Sequence, residues 1–441
     1  MGSFGGILVI CRCGGQSPVV IVWVVMQISS SSLHPLHRLW RSLPANRRRL
    51  WLARTSAVLA PKPDRPAPPS CDGVIVAGEI QRASGLGESA RIMHRALEAL
   101  AVPVWSLQAG LAVPGEEGAP ASPLPGAGRA GPGAALVLHV NAPVLPGALL
   151  RLPRQLARGR RVVGYWAWEL EVVPPSWRPA CRCVHEIWAP SRFTARALES
   201  LMPGRVRVVP HALALSPPRP ARMDRAAFGL PEHAVVVLVS FSLASAFERK
   251  NPLGAVQAFR KAFDNRSDRI LVLKIGHTGH LEADMERLRD AVAGCDNIRL
   301  ETRMLPSAET HALTRIADIV LSLHRSEGFG LVPAEAMMLG RAVVATDWSA
   351  TAEFLDASCG VPVGYRLVTA RDPRGISEAP GAVWADADID EAAQALRALA
   401  DDPDRRATLG DAAMRVSQAR FGADALHRAL DGIGFSGRGV I

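Results

Sequence analysis

Ser326-Glu327-Gly328-Phe329-Gly330-Leu331-Val332-Pro333-Ala334-Glu335 is the stretch that decides the fold. Two carboxylates, Glu327 and Glu335, stand eight positions apart around a glycine-aromatic-glycine turn. The apolar run Ile319 to Leu323 leads in, and a helix-forming run, Ala334 to Leu339, leads out. The pattern predicts a strand, a tight loop and a helix N-terminus. Such a junction offers unpaired backbone N–H groups and the positive end of a helix dipole, which together seat a phosphate. Pro333 suits the first helical position, where its missing N–H costs nothing. Gly340 suits the position just past the helix end. Gly328 and Gly330 are expected to adopt torsions closed to other residues, letting the chain pass close to a ligand. Glu327 then lies in the loop and Glu335 in the first helical turns, both facing one pocket.

This segment resembles the sugar-nucleotide-binding signature of the retaining family-4 (group 1) glycosyltransferases. The similarity continues through Ala345-Thr346-Asp347-Trp348-Ser349 and Glu353-Phe354. The resemblance implies an α/β chain of the GT-B fold, with two Rossmann-like domains whose parallel sheets face a central cleft. It implies that Glu327 touches donor-sugar hydroxyls and Glu335 the ribose. Ser326 and the amides of Gly328, Phe329, Gly330 and Leu331 would line the sugar and diphosphate.

A chain of 441 residues is long enough for two domains with full cores. Seven arginines and no acidic residue fall within residues 1–61, so most of the +10 net charge sits there. The remainder is close to neutral, which argues against a nucleic-acid-binding surface. Arg38, Arg41, Arg47, Arg48, Arg49 and Arg54 are interleaved with Trp40, Leu43, Leu50, Trp51 and Leu52. Residues 36–54 therefore read either as an interfacial helix on an anionic membrane or as a disordered arginine-rich tail. Pro44 would interrupt a single helix there. The apolar run Val19 to Met26 is too short for a membrane span. It lacks a signal peptide's basic flank and cleavage site, and Met26 is a candidate for the true start. The cysteines include C-x-C pairs, not zinc-knuckle spacing, and imply free thiols in a reducing cytoplasm. Four lysines stand in a chain otherwise basic through arginine, namely Lys62, Lys250, Lys261 and Lys274.

Strand and helix patterns alternate along the chain, which argues for parallel sheets covered by helices on both faces. The expected plan is a basic extension and Pro-rich linker over residues 1–70 and a Rossmann-like acceptor domain over 71–214. A hinge over 215–233 and a nucleotide-sugar-binding domain over 234–418 follow. The resemblance implies that the last helix, within 419–441, returns to the first domain.

Transfer from a nucleotide-diphosphate sugar needs the charge of the leaving diphosphate stabilised. Arg249 and Lys250 follow a predicted strand and precede a helix, so they stand at a sheet's carboxyl edge. By resemblance Lys250 is the diphosphate-binding lysine. The glycine-arginine pair common in the family is absent, which leaves Arg249 or Arg325 as the second cation. Asp386-Ala387-Asp388 resembles a metal-binding D-x-D, but it precedes a helical run and reads as a cap. The expectation is that no metal and no cofactor is needed. Gly85-Leu86-Gly87-Glu88 reads as a glycine-rich loop ahead of a helix on the acceptor side. His139 and Glu169 follow strands and sit where acceptor and donor meet. His139 is a catalytic candidate on position, with a satisfied core histidine as the alternative. His211 and His324 could help neutralise phosphate or orient Glu327.

The expected activity is transfer of a hexose, mannose among the candidates, to a glycan or lipid-linked acceptor with retention. The donor would be GDP-mannose or a UDP-sugar, and the setting polysaccharide or glycolipid synthesis. By resemblance the transfer is front-face, with Glu327 positioning rather than forming a covalent intermediate. A sugar-nucleotide epimerase and a catalytically silent sugar-nucleotide-binding domain are the alternatives. The expected location is cytoplasmic, peripheral on the inner membrane face.

Overall fold

In the computed structural model the described residues are 5–10, 21–26, 40, 42–110, 130–279, 281–375, 377 and 379–435. Arg38, Arg41 and residues 111–129 of a Gly/Pro-rich stretch lie outside them. The first elements are an antiparallel pair, β1 (Gly5–Ile10) and β2 (Ile21–Met26).

Six parallel strands form the first domain's sheet: β3 (Val74–Gly78), β4 (Val104–Gln108), β5 (Ala135–His139), β6 (Val162–Tyr165), β7 (Glu186–Ala189) and β8 (Val206–Val208). Their order is β4-β3-β5-β6-β7-β8. Every residue of β3, β5, β6 and β7 is buried. Continuous burial, rather than alternation, marks strands covered on both faces. The second sheet is also six-stranded and parallel, with β9 (Val235–Ser242), β10 (Arg269–Gly276), β11 (Ile298–Glu301), β12 (Ile319–Ser322), β13 (Ala342–Thr346) and β14 (Val361–Val363). Its order is β11-β10-β9-β12-β13-β14. A hairpin, β15 (Tyr365–Thr369) and β16 (Val383–Ala387), lies outside both sheets and was not anticipated from the sequence.

The helix Gly85–Ala99 begins earlier than its glycines suggested. Ser84 caps it, its Oγ accepting the Gly87 N–H at 3.1 Å, so Gly85 and Gly87 are the first helical turn and not a loop before it. Capping offsets the poor helix propensity of glycine.

Residues 45–70 are part of the first domain. The helix Ala45–Leu59 starts just after Pro44, which therefore opens the helix instead of breaking it. Ala53, Ala57 and Ala60 bury its inner face, which meets Leu145–Leu150 and the turn Pro175–Cys183. The Pro-rich stretch that follows is tied down. The Asp64 carboxylate accepts from Gly159 N at 2.8 Å, and its carbonyl lies 2.8 Å from His185 Nε2. Among the described residues no helix is long and apolar enough to cross a membrane.

The chain crosses between the domains twice. After the helix Pro403–Arg420, the helix Asp424–Gly432 places Leu426, Ala429, Leu430 and Ile433 in the first domain's core. The crossings run side by side, with Ala214 N donating to Phe421 O at 3.0 Å. Phe421 packs on Phe329 and Phe354, with ring centroids 5.4 and 5.2 Å away.

Candidate active site

The order of the second sheet reverses between β9 and β12, and an open α/β sheet forms its ligand crevice at such a switch point. The two segments singled out from sequence leave the sheet there. One follows β9 into the turn Phe247–Lys250, and the other follows β12 into the signature loop. Asn251, at φ +50°, joins them. Its Nδ2 donates to Leu323 O at 2.9 Å, and its Oδ1 accepts the Gly254 N–H at the start of the next helix. The cleft between the domains encloses about 530 Å³, within the size range of small-ligand sites.

Glu327 is the centre of a charge cluster on the cleft wall. Lys250 Nζ lies 2.5 Å from its Oε1 and Arg249 Nη1 3.3 Å from its Oε2. Its own N–H donates to Ser349 Oγ at 2.8 Å. Burial by itself raises this carboxyl, but the charges of Lys250 and Arg249 outweigh it and bring the pKa down to about 2. The two cations differ in setting. The Arg249 side chain is 4% exposed, that of Lys250 20%. Arg249 donates to Ser326 O at 2.7 Å and Ser245 Oγ at 2.6 Å, and lies 3.6 Å from Glu169. Both line the cleft; Arg249 also braces the loop, and Lys250 is the more exposed of the two.

Glu335 lies in the helix Leu331–Met338, on the cleft wall as Glu327 is. His311 Nδ1 accepts the Arg219 N–H at 3.1 Å, so its proton is on Nε2, facing Glu335 Oε1 at 3.7 Å. Gly330 precedes the helix at φ +93°, the left-handed geometry expected of it. Gly328 does not share that geometry. It is needed for close approach, because a Cβ there would sit 3.0 Å from Trp168 O of the first domain. Pro333 is the third helical residue rather than the first.

The signature loop also clasps the other domain. Gly328 O accepts from Ser191 Oγ at 2.7 Å and Thr194 Oγ1 at 3.1 Å, and Ser326 Oγ donates to Glu169 O. The Glu353 carboxylate accepts from Arg192 N and Phe193 N, at 3.0 and 2.7 Å, across the same seam.

Other expected site residues fall elsewhere. His139 is fully enclosed, not at the rim. Its Nδ1 is 2.8 Å from Ser89 Oγ, and its ring stacks on Tyr165 at 4.4 Å. Burial drives its pKa well down, so it is a neutral core histidine. Arg325 points away from the cleft. It donates to Glu248 O at 2.8 Å, pairs with Asp386 at 3.2 Å and lies over the Trp384 ring. That removes it from contention as the second diphosphate cation. Asp386 is thereby taken up in ion pairs with Arg325 and Arg366, while Asp388 caps the helix Ile389–Ala400. Gly85, Glu88 and Glu169 line the cleft. Glu88 is held between Arg91 and Arg95, at 2.7 and 2.9 Å. His211 lines the cleft beside Tyr165, and burial lowers its pKa to about 3. His324 sits behind Glu327 between Ser322 and Thr351, lowered by burial to about 4. Neither carries a charge for phosphate at neutral pH. Lys274, His277, Met304 and His311 also line the cleft, and sequence reasoning assigned none of them. The scarcity of lysine was the one available signal for Lys274.

The architecture, two parallel α/β domains closing on a cleft, is the GT-B fold of glycosyltransferases. Within it, residues 235–402 match the family model described as Glycosyl transferases group 1. Sucrose-phosphate synthase from Thermosynechococcus elongatus superposes with a TM-score of 0.56 at 18% identity, over 82% of this chain and 99% of that one. Anabaena HepE in complex with UDP-glucose superposes with a TM-score of 0.55 at 14% identity, over 82% and 98%. A curated relative, D-inositol 3-phosphate glycosyltransferase 1 of Catenulispora acidiphila, is 29% identical over 244 residues. That alignment covers 53% of this chain and 52% of the relative, so the chain spans about half the length of the curated relative it matches.

Proposed function

We propose that this protein transfers a hexose from a nucleotide-diphosphate sugar to a glycan or lipid-linked acceptor, with retention and without a metal. The observation that carries the reading is the Lys250–Glu327 pair at the switch point, with Glu335 on the same wall. Lys250, the more exposed of the two cations, suits a leaving diphosphate. Glu327, kept ionised by its neighbours, is a fixed acceptor for sugar hydroxyls. Glu335, oriented by His311, suits ribose hydroxyls. HepE, whose fold this chain shares, binds UDP-glucose, which supports a nucleotide sugar as donor. Base and sugar would be found by thermal-shift screening against GDP-, UDP-, ADP- and dTDP-sugars, because a ligand of the native state raises its melting point. With that donor, Glu327→Ala is expected to abolish both transfer and slow donor hydrolysis, and wild-type transfer to persist in excess EDTA. Equal donor turnover in wild type and variant would refute the enzyme reading. NMR of the product's anomeric proton reads retention directly.

The outer face of the helix Ala45–Leu59 supports a membrane setting on the cytoplasmic side. Trp51 and Leu59 are 56% and 55% exposed there, alongside Leu52, Val58 and the exposed Arg47 and Arg54. Apolar anchors among arginines suit an anionic interface. Sedimentation with phosphatidylglycerol vesicles is expected to carry the protein down at low salt. Trp51→Ser/Leu59→Ser should remain in the supernatant.

A further inference from the structure

Lys274 is an anomaly that the proposed chemistry leaves unused. It belongs to β10, in the half of the strand that runs toward the cleft, and it is 9% exposed. Among the described residues its ammonium forms no hydrogen bond and no salt bridge. Glu301 stands opposite it in the ladder, yet Glu301 is clasped by Arg303, whose Nε lies 2.9 and 3.0 Å from its two oxygens. Burial lowers the lysine's pKa, and Glu301 only partly opposes this. The residue is nine-tenths buried and lines the cleft, so an acceptor arriving there would meet a donor that the described residues leave free. Arginine serves nearly everywhere else in this chain, so a lysine retained in this position calls for a reason.

Its position supplies one. The Nζ is near Gly276, where a Cβ would come within 3.7 Å of it, and both residues line the cleft. β10 flanks β9 on the side away from β12, so Lys274 stands about one strand spacing, roughly 4.8 Å, outward from β9. Met304 and Leu305 follow β11, the strand beyond β10, and Met304 Sδ lies 3.4 Å from His277 N; both line the cleft, as do His311 and Glu335, which face each other at 3.7 Å. A nucleotide with its diphosphate at Lys250 and its ribose at Glu335 would bring its base here, against apolar walls and one unpaired cation.

We propose that Lys274 reads the nucleobase of the donor, donating to a ring carbonyl oxygen. The inference rests on the nucleotide-sugar reading above and adds the selectivity that reading lacks. An ammonium is a donor only. It favours guanine, whose O6 and N7 are adjacent acceptors, or uracil, which presents a carbonyl oxygen, over adenine, whose N7 acceptor is flanked by the N6 amine donor. The order of preference is therefore GDP first, then UDP, with ADP last.

The test is calorimetric titration of GDP, UDP, ADP and inorganic pyrophosphate into wild type, Lys274→Met and Lys274→Gln. Methionine keeps the volume and removes the donor, while glutamine keeps an N–H. The Met variant is expected to lose at least tenfold in affinity for GDP and UDP, to leave ADP and pyrophosphate unchanged, and to melt a few degrees higher without ligand. Glutamine should restore part of the GDP affinity. An equal loss for every nucleotide, or a loss for pyrophosphate, would overturn base reading in favour of a phosphate contact. An unchanged GDP affinity, or a lowered melting point without ligand, would overturn it in favour of a structural role. Should the wild type bind none of the nucleotides, the donor reading itself fails, and base reading with it.

Discussion

Lys250→Ala is expected to lower the turnover of sugar transfer by about 10²–10³-fold, the usual cost of deleting one group that stabilises charge developing on a leaving or attacking oxygen. The negative charge on the diphosphate grows as the glycosidic bond breaks. A cation already held in place helps most at that moment. Glu327 holds Lys250 there at 2.5 Å before any ligand arrives. Under the proposed function the loss should fall chiefly on kcat, because a ground-state diphosphate would keep the amides of the helix Leu331–Met338. Lys250→Arg should recover part of the rate. Steady-state kinetics with the donor found by thermal shift checks this, and an Ala variant with unchanged kcat would place the leaving-group role on another residue.

Arg249→Met should destabilise the fold by about 3–5 kcal/mol, as removal of one partner from a buried ion pair does. Its side chain is 4% exposed and bonds Ser326 O and Ser245 Oγ, and it faces both Glu327 and Glu169. Without it Glu327 keeps Lys250 as its ion-pair partner and Glu169 loses Arg249. Denaturant unfolding should show the loss, and Arg249→Met/Glu327→Gln should regain much of it. The sign of the pH dependence follows from the depressed carboxyl. Glu327 titrates near 2 when folded and in the ordinary carboxylate range when unfolded. Its contribution is complete above that range and fades as pH falls toward 2. In Arg249→Met the fading should begin at higher pH.

The parts of the site legible in the sequence were those set by local chemistry. Glu327, Gly330, Glu335 and Gly340 could be placed because strand, left-handed turn and helix follow one another within some twenty residues. The placement of Lys250 needed only the carboxyl end of one strand. The residues that went astray depended on contacts made far along the chain. Arg325 neighbours Ser326 yet turns to Asp386, sixty-one positions away, through a hairpin the pattern did not reveal. His139 ends its strand as expected, but the helix Gly85–Ala99 closes over it through Ser89. Lys274 escaped because an isolated lysine in an apolar strand shows no partner in sequence, and it forms no hydrogen bond or salt bridge among the described residues. Residues 45–70 read as a tail and linker because their anchors, Gly159 and His185, lie about a hundred positions downstream.

The paired crossings at Ala214 and Phe421 act as the spine of a book. Joined to each other and packed against Phe329 and Phe354, they let the lobes pivot but not slide. A pivot moves distant points most. Glu353 is not distant, because Arg420 donates to its carbonyl at 2.8 Å and the neighbouring Phe354 packs on Phe421, so its bonds to the amides of Arg192 and Phe193 belong to the spine and would outlast an opening. Glu353→Ala is then expected to weaken the spine itself, read as a lower melting temperature of the unliganded protein.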